Sequence, residues 1–178
     1  MLVFLDFEAS SLTKHSYPIE IGWVFEDGSR HSSLIRPAPG WSDWCVKAEA
    51  IHGISRRQLE REGLAVEQVA ATAMDVLSGH ELCASAPSWD GKWLSVLLRA
   101  GGFPRHALRL KKSDDVFLAA ARQIVGDRLS GERLAELVAG AIAQTEPVFP
   151  AHRALPDAEL ELARLKLVRD LSAQHASQ

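Results

Sequence analysis

The chain opens with MLVFLDFEA (residues 1–9), and the reading of this stretch decides the fold. Apolar residues occupy both parities of the run, so both faces are covered, as in the centre of a sheet with helices on either side. The run then breaks its own pattern. Asp6 and Glu8 stand at its end, two apart and so on one face, while Phe7 points the other way. Two carboxylates on one face of a core strand repel and desolvate each other unless something cationic lies between them.

Working outward, PIEIGWVFEDGSRHSSLIRP (18–37) reads as a hairpin, with Asp27-Gly28 as its turn and Pro37 and Pro39 ending the second strand. Residues 38–64 read as irregular, with one short helix near SRRQLER. VEQVAATAMDVLSG (66–79) places Val66, Val69, Ala73, Val76 and Leu77 on one helical stripe closed by Gly79. ELCASA (81–86) is a short buried strand. DGKWLSVLLRAGG (90–102) is a helix with Leu94, Leu97 and Leu98 inward, and HALRLKKS (106–113) is a further strand. Three helical segments follow, over 114–126, 131–144 and 156–173. The last carries Pro156 near its first turn, an acidic beginning and a basic end. A three-strand meander followed by alternating helices and strands predicts an α/β fold with a mixed sheet and helices on its faces.

The chain has 178 residues, 47% of them apolar and 24% charged, which suits one globular domain over 1–178 with a substantial core. No apolar run approaches the ~20 residues of a membrane span. The N-terminus enters a strand without a basic and then apolar leader, and Cys45 and Cys83 lack metal-site spacing. Both features predict a cytoplasmic protein with free thiols and no membrane partner. The net charge of −3 argues against a broad phosphate-gripping face. It is compatible with a protein that holds a few nucleotides through metal ions.

Further acids occur where helices begin. Asp90 follows Trp89 just after the short strand 81–86, and Asp157 opens the last helix, with His152 five positions before it. Singly, each reads as an ordinary helix N-terminal acid or a surface histidine. Together, Asp6, Glu8, Asp90 and Asp157 form a set of hard oxygen ligands suited to Mg²⁺ or Mn²⁺. Two such ions ~3.5–4 Å apart can hold an attacking water and a leaving oxygen in line across a phosphodiester. His152 is the candidate general base, since an imidazole can take a proton near neutral pH.

These motifs, in this order, resemble the DEDDh-type 3′–5′ exonuclease superfamily, which includes the polymerase III proofreading subunit, RNase T and oligoribonuclease. Asp6-x-Glu8 resembles its first motif, Trp89-Asp90 its second, and His152-x-x-x-x-Asp157-Ala158 its third. PIEIGWVF, LIRP and IHGIS resemble the segments between, so the likeness spans nearly the whole chain. It implies a ribonuclease-H-like sheet of about five strands, an antiparallel meander plus parallel strands. It also implies attack at the 3′ end of single-stranded DNA or RNA, with nucleoside 5′-monophosphates as products. Leu12 matches a leucine that packs on the terminal base. His52 is a candidate contact to the strand terminus, and Arg153 a candidate phosphate contact.

The sequence departs from the pattern in two places. ASSL (9–12) stands where relatives often carry Thr-Thr-Gly-Leu after the glutamate, and Ala86 stands where an asparagine precedes the second aspartate. Trp23 and Trp89 read as core, while Trp41 and Trp44 fall in a loop. The basic groups Arg56/Arg57/Arg61 and Arg105/Arg109/Lys111/Lys112 read as solvated faces. A non-catalytic nucleic-acid or protein-binding module on the same fold, and an enzyme confined to very short RNA, are the rival readings. A second copy of the chain, or a polymerase or repair protein, are the further partners left open.

Overall fold

The structure is a computed structural model, and it describes residues 1–177. Five strands and seven helices alternate as follows: β1 (Leu2–Ala9), β2 (Pro18–Phe25), β3 (Arg30–Leu34), α1 (Val46–His52), α2 (Arg56–Glu62), α3 (Val66–Leu77), β4 (Glu81–Ala84), α4 (Pro87–Ala100), β5 (Leu110–Lys112), α5 (Ser113–Val125), α6 (Gly131–Thr145) and α7 (Ala154–Ala176). The strands form one sheet in the order β3-β2-β1-β4-β5. The first three are antiparallel neighbours, and β4 and β5 continue the sheet parallel to β1. This is the ribonuclease-H-like arrangement, with β1 at its centre. Among the described residues no helix is long and apolar enough to cross a membrane.

The two parities of β1 feed two cores. Val3, Leu5 and Phe7 join Ile21 and Trp23 of β2 under α3 and α4, with Val69, Ala73, Leu94 and Leu97. Phe4 joins Val24 and Cys83 under α5, α6 and α7, packed by Phe117, Val138, Leu162 and Leu165. Burial on both faces is why the strand reads as nearly continuous apolar sequence. At the β2–β3 turn the Gly28 N–H bonds to the Phe25 carbonyl (2.9 Å), and Gly28 takes a left-handed backbone (φ 90°) that favours glycine.

Three expectations are corrected. Residues 38–64 hold two helices, not one. In α1 only His52 is buried while Val46 and Ile51 face solvent, so no apolar stripe marks it in sequence. The strand expected over 106–113 is only β5, with its start drawn into turns. Trp89 is not core: it is 37% exposed, stacked on Trp93 with Lys92 over its ring. It lies in the first turn of α4, whose inward stripe begins at Asp90 and Trp93.

One glycine sets how α7 docks. Gly22 of β2 pairs with Asp6 across the ladder. A Cβ there would lie 2.3 Å from the Leu155 nitrogen and 2.6 Å from the Ala154 carbonyl carbon. Glycine costs a strand some stability, and here it lets the first turn of α7 rest on the sheet backbone.

Candidate active site

The site is built on the β1 face that α7 covers. Along it Phe4, Asp6 and Glu8 follow one another, opposite Val24, Gly22 and Glu20 of β2. The first turn of α7, seated on Gly22, carries Asp157 over the strand end. One carboxylate oxygen from each of Asp6, Glu8 and Asp157 comes within 4.8 Å of the others. Asp90 joins them from α4, close enough to repel Asp6 and to accept a backbone hydrogen bond from Phe7. Because β4 runs parallel to β1, the helix that follows it starts beside the end of β1. Asp90 lies in the first turn of that helix, 2% exposed, with Oδ2 buried and unpartnered among the described residues.

The electrostatics follow from burial. Desolvation, then repulsion from Asp90, Glu8 and Asp157, holds the Asp6 carboxyl well above its ordinary range. Burial and the neighbouring Asp157 and Glu20 push Glu8 to about 8, against the attraction of Arg153. Burial raises Asp90 to about 7, opposed by backbone hydrogen bonds from Ala86 and Phe7. Asp157 is also raised by burial, and nearby His152 acts the other way. Among the described residues no lysine or arginine forms an ion pair with any of these four; the nearby guanidinium groups of Arg153 and Arg164 are taken by Glu20 and Glu161. A set of four oxygen-donor carboxylates, one with an orphaned buried oxygen, fits hard divalent cations.

His152 sits on the loop before α7, exposed to solvent, with a left-handed backbone (φ 48°) unusual for a residue other than glycine. Leu12 and His52 meet in a cavity of about 170 Å³ that opens beside Glu8 and is also lined by Phe7, Ile51 and Trp93. The His52 ring is buried, and its Nδ1 accepts the Ile54 N–H at 3.0 Å. Arg153, the candidate phosphate contact, keeps 41% of its side chain exposed. Its guanidinium is bound to Glu20, which is itself 2% exposed.

Two carboxylates here escaped the reading of the sequence. Glu20 supports the turn that carries His152 and Asp157. Its signal was legible, a lone charge inside the otherwise buried strand PIEIGWVF. Glu161 follows Asp157 by one helical turn, so it faces the same way. It is buried, paired to Arg164 at 2.6 Å, and adds to the repulsion felt by Asp6 and Asp90.

Comparison with solved structures then places the backbone. The Escherichia coli exonuclease I complex with a dA16 oligonucleotide superposes over 99% of this chain with a TM-score of 0.70 and 15% identity. The fold is that of exonuclease I. The zinc-bound E. coli exonuclease I–ssDNA complex matches over 95% of the chain (TM-score 0.69, 16% identity). The moderately thermophilic exonuclease I from Methylocaldum szegediense also matches over 95% (TM-score 0.69, 17% identity). The present chain spans 42%, 40% and 40% of those exonuclease I chains, respectively. No protein-family model and no curated protein matches the sequence. The resemblance to DEDDh-type exonucleases read from the sequence is thus met by exonuclease I at the level of fold.

Proposed function

We propose that the chain is a metal-dependent 3′–5′ exonuclease that removes nucleotides from single-stranded nucleic acid. The observation that carries this reading is the convergence of Asp6, Glu8 and Asp157, with Asp90 beside them, where among the described residues no lysine or arginine is ion-paired with them. The complexes of exonuclease I with single-stranded DNA support a single strand as substrate, with DNA ahead of RNA.

In this reading Asp6, Glu8, Asp90 and Asp157 would hold two Mg²⁺ or Mn²⁺ ions, which when bound would supply positive charge to stabilise the phosphoryl group as negative charge builds on it. The other steps belong to the chain. The pocket of Leu12, His52 and Trp93 receives the terminal nucleotide and orients its phosphate beside Glu8. His152 reaches in from its loop and takes a proton from the attacking water as the new P–O bond forms. The bond from phosphorus to the 3′ oxygen of the preceding nucleotide breaks and that oxygen takes a proton from solvent, releasing a nucleoside 5′-monophosphate and leaving a strand with a new 3′ hydroxyl. Arg153, held by Glu20, contributes positive charge near Glu8 and keeps the loop in place.

The test is digestion of end-labelled single strands of DNA and RNA, each with Mg²⁺, with Mn²⁺ and with chelator. Expected are stepwise products from the 3′ end, protection by a blocked 3′ end but not a blocked 5′ end, and silence in chelator. Undiminished activity in chelator, or cutting of a circular single strand, overturns the proposal.

A further inference from the structure

The loop that follows Glu8 departs from the family pattern, and the structure shows what holds it. Ser10 and Ser11 are buried, yet Leu12 between them and Thr13 is 71% exposed at the lip of the pocket. An apolar side chain held out into water needs a rigid backbone beneath it, since nothing in its own burial keeps it there. The loop's own bonds, from the Thr13 N–H to Ser11 Oγ and from the Tyr17 N–H to Ser10 Oγ (both 3.1 Å), supply part of that rigidity, and one carboxylate on a different segment ties the loop from outside. Asp43 accepts the Ser10 hydroxyl at 3.0 Å and the Ser11 hydroxyl on Oδ2, and the Thr13 hydroxyl at 2.9 Å on Oδ1. The three donors bracket Leu12. The same two segments are tied by the Cys45 N–H on the Ser10 carbonyl at 3.0 Å, which sets Asp43 two residues from the anchor.

We propose that Asp43 is a positioning residue that fixes Leu12 over the pocket and so sets the grip on the terminal nucleotide. This rests on the exonuclease reading above and deepens it. Hydrogen bonds to an ionised carboxylate are stronger than neutral ones, and three from within four successive residues of one loop leave it few alternative shapes. The chemistry also explains the sequence ASSL. Serines at 10 and 11 supply the hydroxyl groups that Asp43 gathers. Asp43 bonds the hydroxyl groups of the loop beyond β1 and not the carboxylates of Asp6, Glu8, Asp90 or Asp157, so loss of this clamp acts on substrate grip more than on the chemical step.

The experiment is steady-state kinetics on a single-stranded DNA oligonucleotide for wild type, Asp43→Ala, Asp43→Asn, Leu12→Ala and the double variant Leu12→Ala/Asp43→Ala. Asp43→Ala is expected to raise KM about tenfold with kcat changed by less than about twofold. Asp43→Asn, which keeps one acceptor oxygen, falls between. In the Leu12→Ala background the removal of Asp43 adds less than about twofold to KM, because the residue it positions is already gone. The thermal shift caused by Asp43→Ala persists in both backgrounds, which separates positioning from general stability. Independent, multiplying effects on KM, or a loss confined to kcat, overturn the assignment while leaving the exonuclease reading intact. A wild-type chain that neither cuts nor binds the oligonucleotide overturns both.

Discussion

Arg153 closes on Glu20 across 133 positions of the chain, with Nε 2.9 Å and Nη2 2.5 Å from the two carboxylate oxygens. The Ala154 N–H reaches the same carboxylate at 3.0 Å. One buried side chain of β2 therefore fixes both the turn that presents His152 and the start of the helix that presents Asp157. Glu20→Ala removes the acceptor of four donors, these three and the Ser32 hydroxyl, and is expected to cost about 2–4 kcal/mol of stability. Turnover falls at least about tenfold, because a small displacement of reacting groups is costly. Chemical denaturation and kcat check the two effects, and a stable variant with normal kcat would remove Glu20 from the site.

Gly22 gives a second test of how α7 is seated. Gly22→Ala puts a methyl group against the Leu155 nitrogen, backbone against which nothing can yield without moving the helix. It is expected to destabilise by about 1–3 kcal/mol and to lower activity in the same variant. Gly140 on α6 has open space around its Cβ position. Gly140→Ala there is expected to stabilise by about 0.5–1 kcal/mol with activity unchanged. Melting curves of the two variants check the contrast.

The raised carboxyl groups make the metal-free protein sensitive to pH. Glu8 stands at about 8 and Asp90 at about 7 in the folded chain, against ordinary values of ~4.3 and ~3.9 when unfolded. Between those limits the folded state keeps protons that the unfolded state has released. Their contribution is therefore fully present below the unfolded values and is lost as pH rises through the folded ones. Melting temperature in chelator is expected to fall as pH rises from about 5 to about 9. Divalent cations reduce the fall by pairing with the ionised groups, and Glu8→Gln makes it shallower in chelator. A melting temperature in chelator that climbs over this range contradicts the assignment.

Asp90→Asn separates function from folding. The side chain keeps its size, while a buried oxygen anion with no partner is removed. Activity is expected to fall by about 100-fold or more, as electrostatic support for the phosphoryl group is lost. In chelator the variant melts at or above the wild-type temperature, since like-charge repulsion is relieved. Calorimetry with Mn²⁺ provides the independent readout: weaker or fewer ions bound.

His152→Ala tests the general base. Turnover is expected to drop by about 10²–10⁴-fold, with metal binding and KM little changed. The residual rate rises with pH, because the water is then deprotonated without assistance from the side chain. Near-normal turnover at neutral pH would show that the five-residue spacing to Asp157 has no catalytic meaning.

Much of this was legible one element at a time. The double-sided apolar run of β1, the acids at positions 6 and 8, the inward leucines of α4 and the start of α7 all follow from periodicity and helix-end chemistry, which are local properties. The sequence by itself therefore determined most of the strand and helix segments, and that Asp6, Glu8, Asp90 and Asp157 stand at the ends of theirs. It did not show α1, whose packing through His52 leaves no stripe, nor the exposure of Trp89. It also gave no sign that Arg153 pairs with Glu20 of β2.

What only the tertiary structure decided is which of these ends meet. Asp90 and Asp157 reach β1 because the parallel pairing of β4 brings α4 beside the strand end, and because Gly22 admits α7 onto the backbone. Glu20 and Asp43 gained their partners in the same way, through segments distant in sequence. The physical reason is that side-chain direction along a strand or helix is set by its nearest neighbours in sequence, whereas the approach of two elements is set by the packing of surfaces that no local pattern encodes.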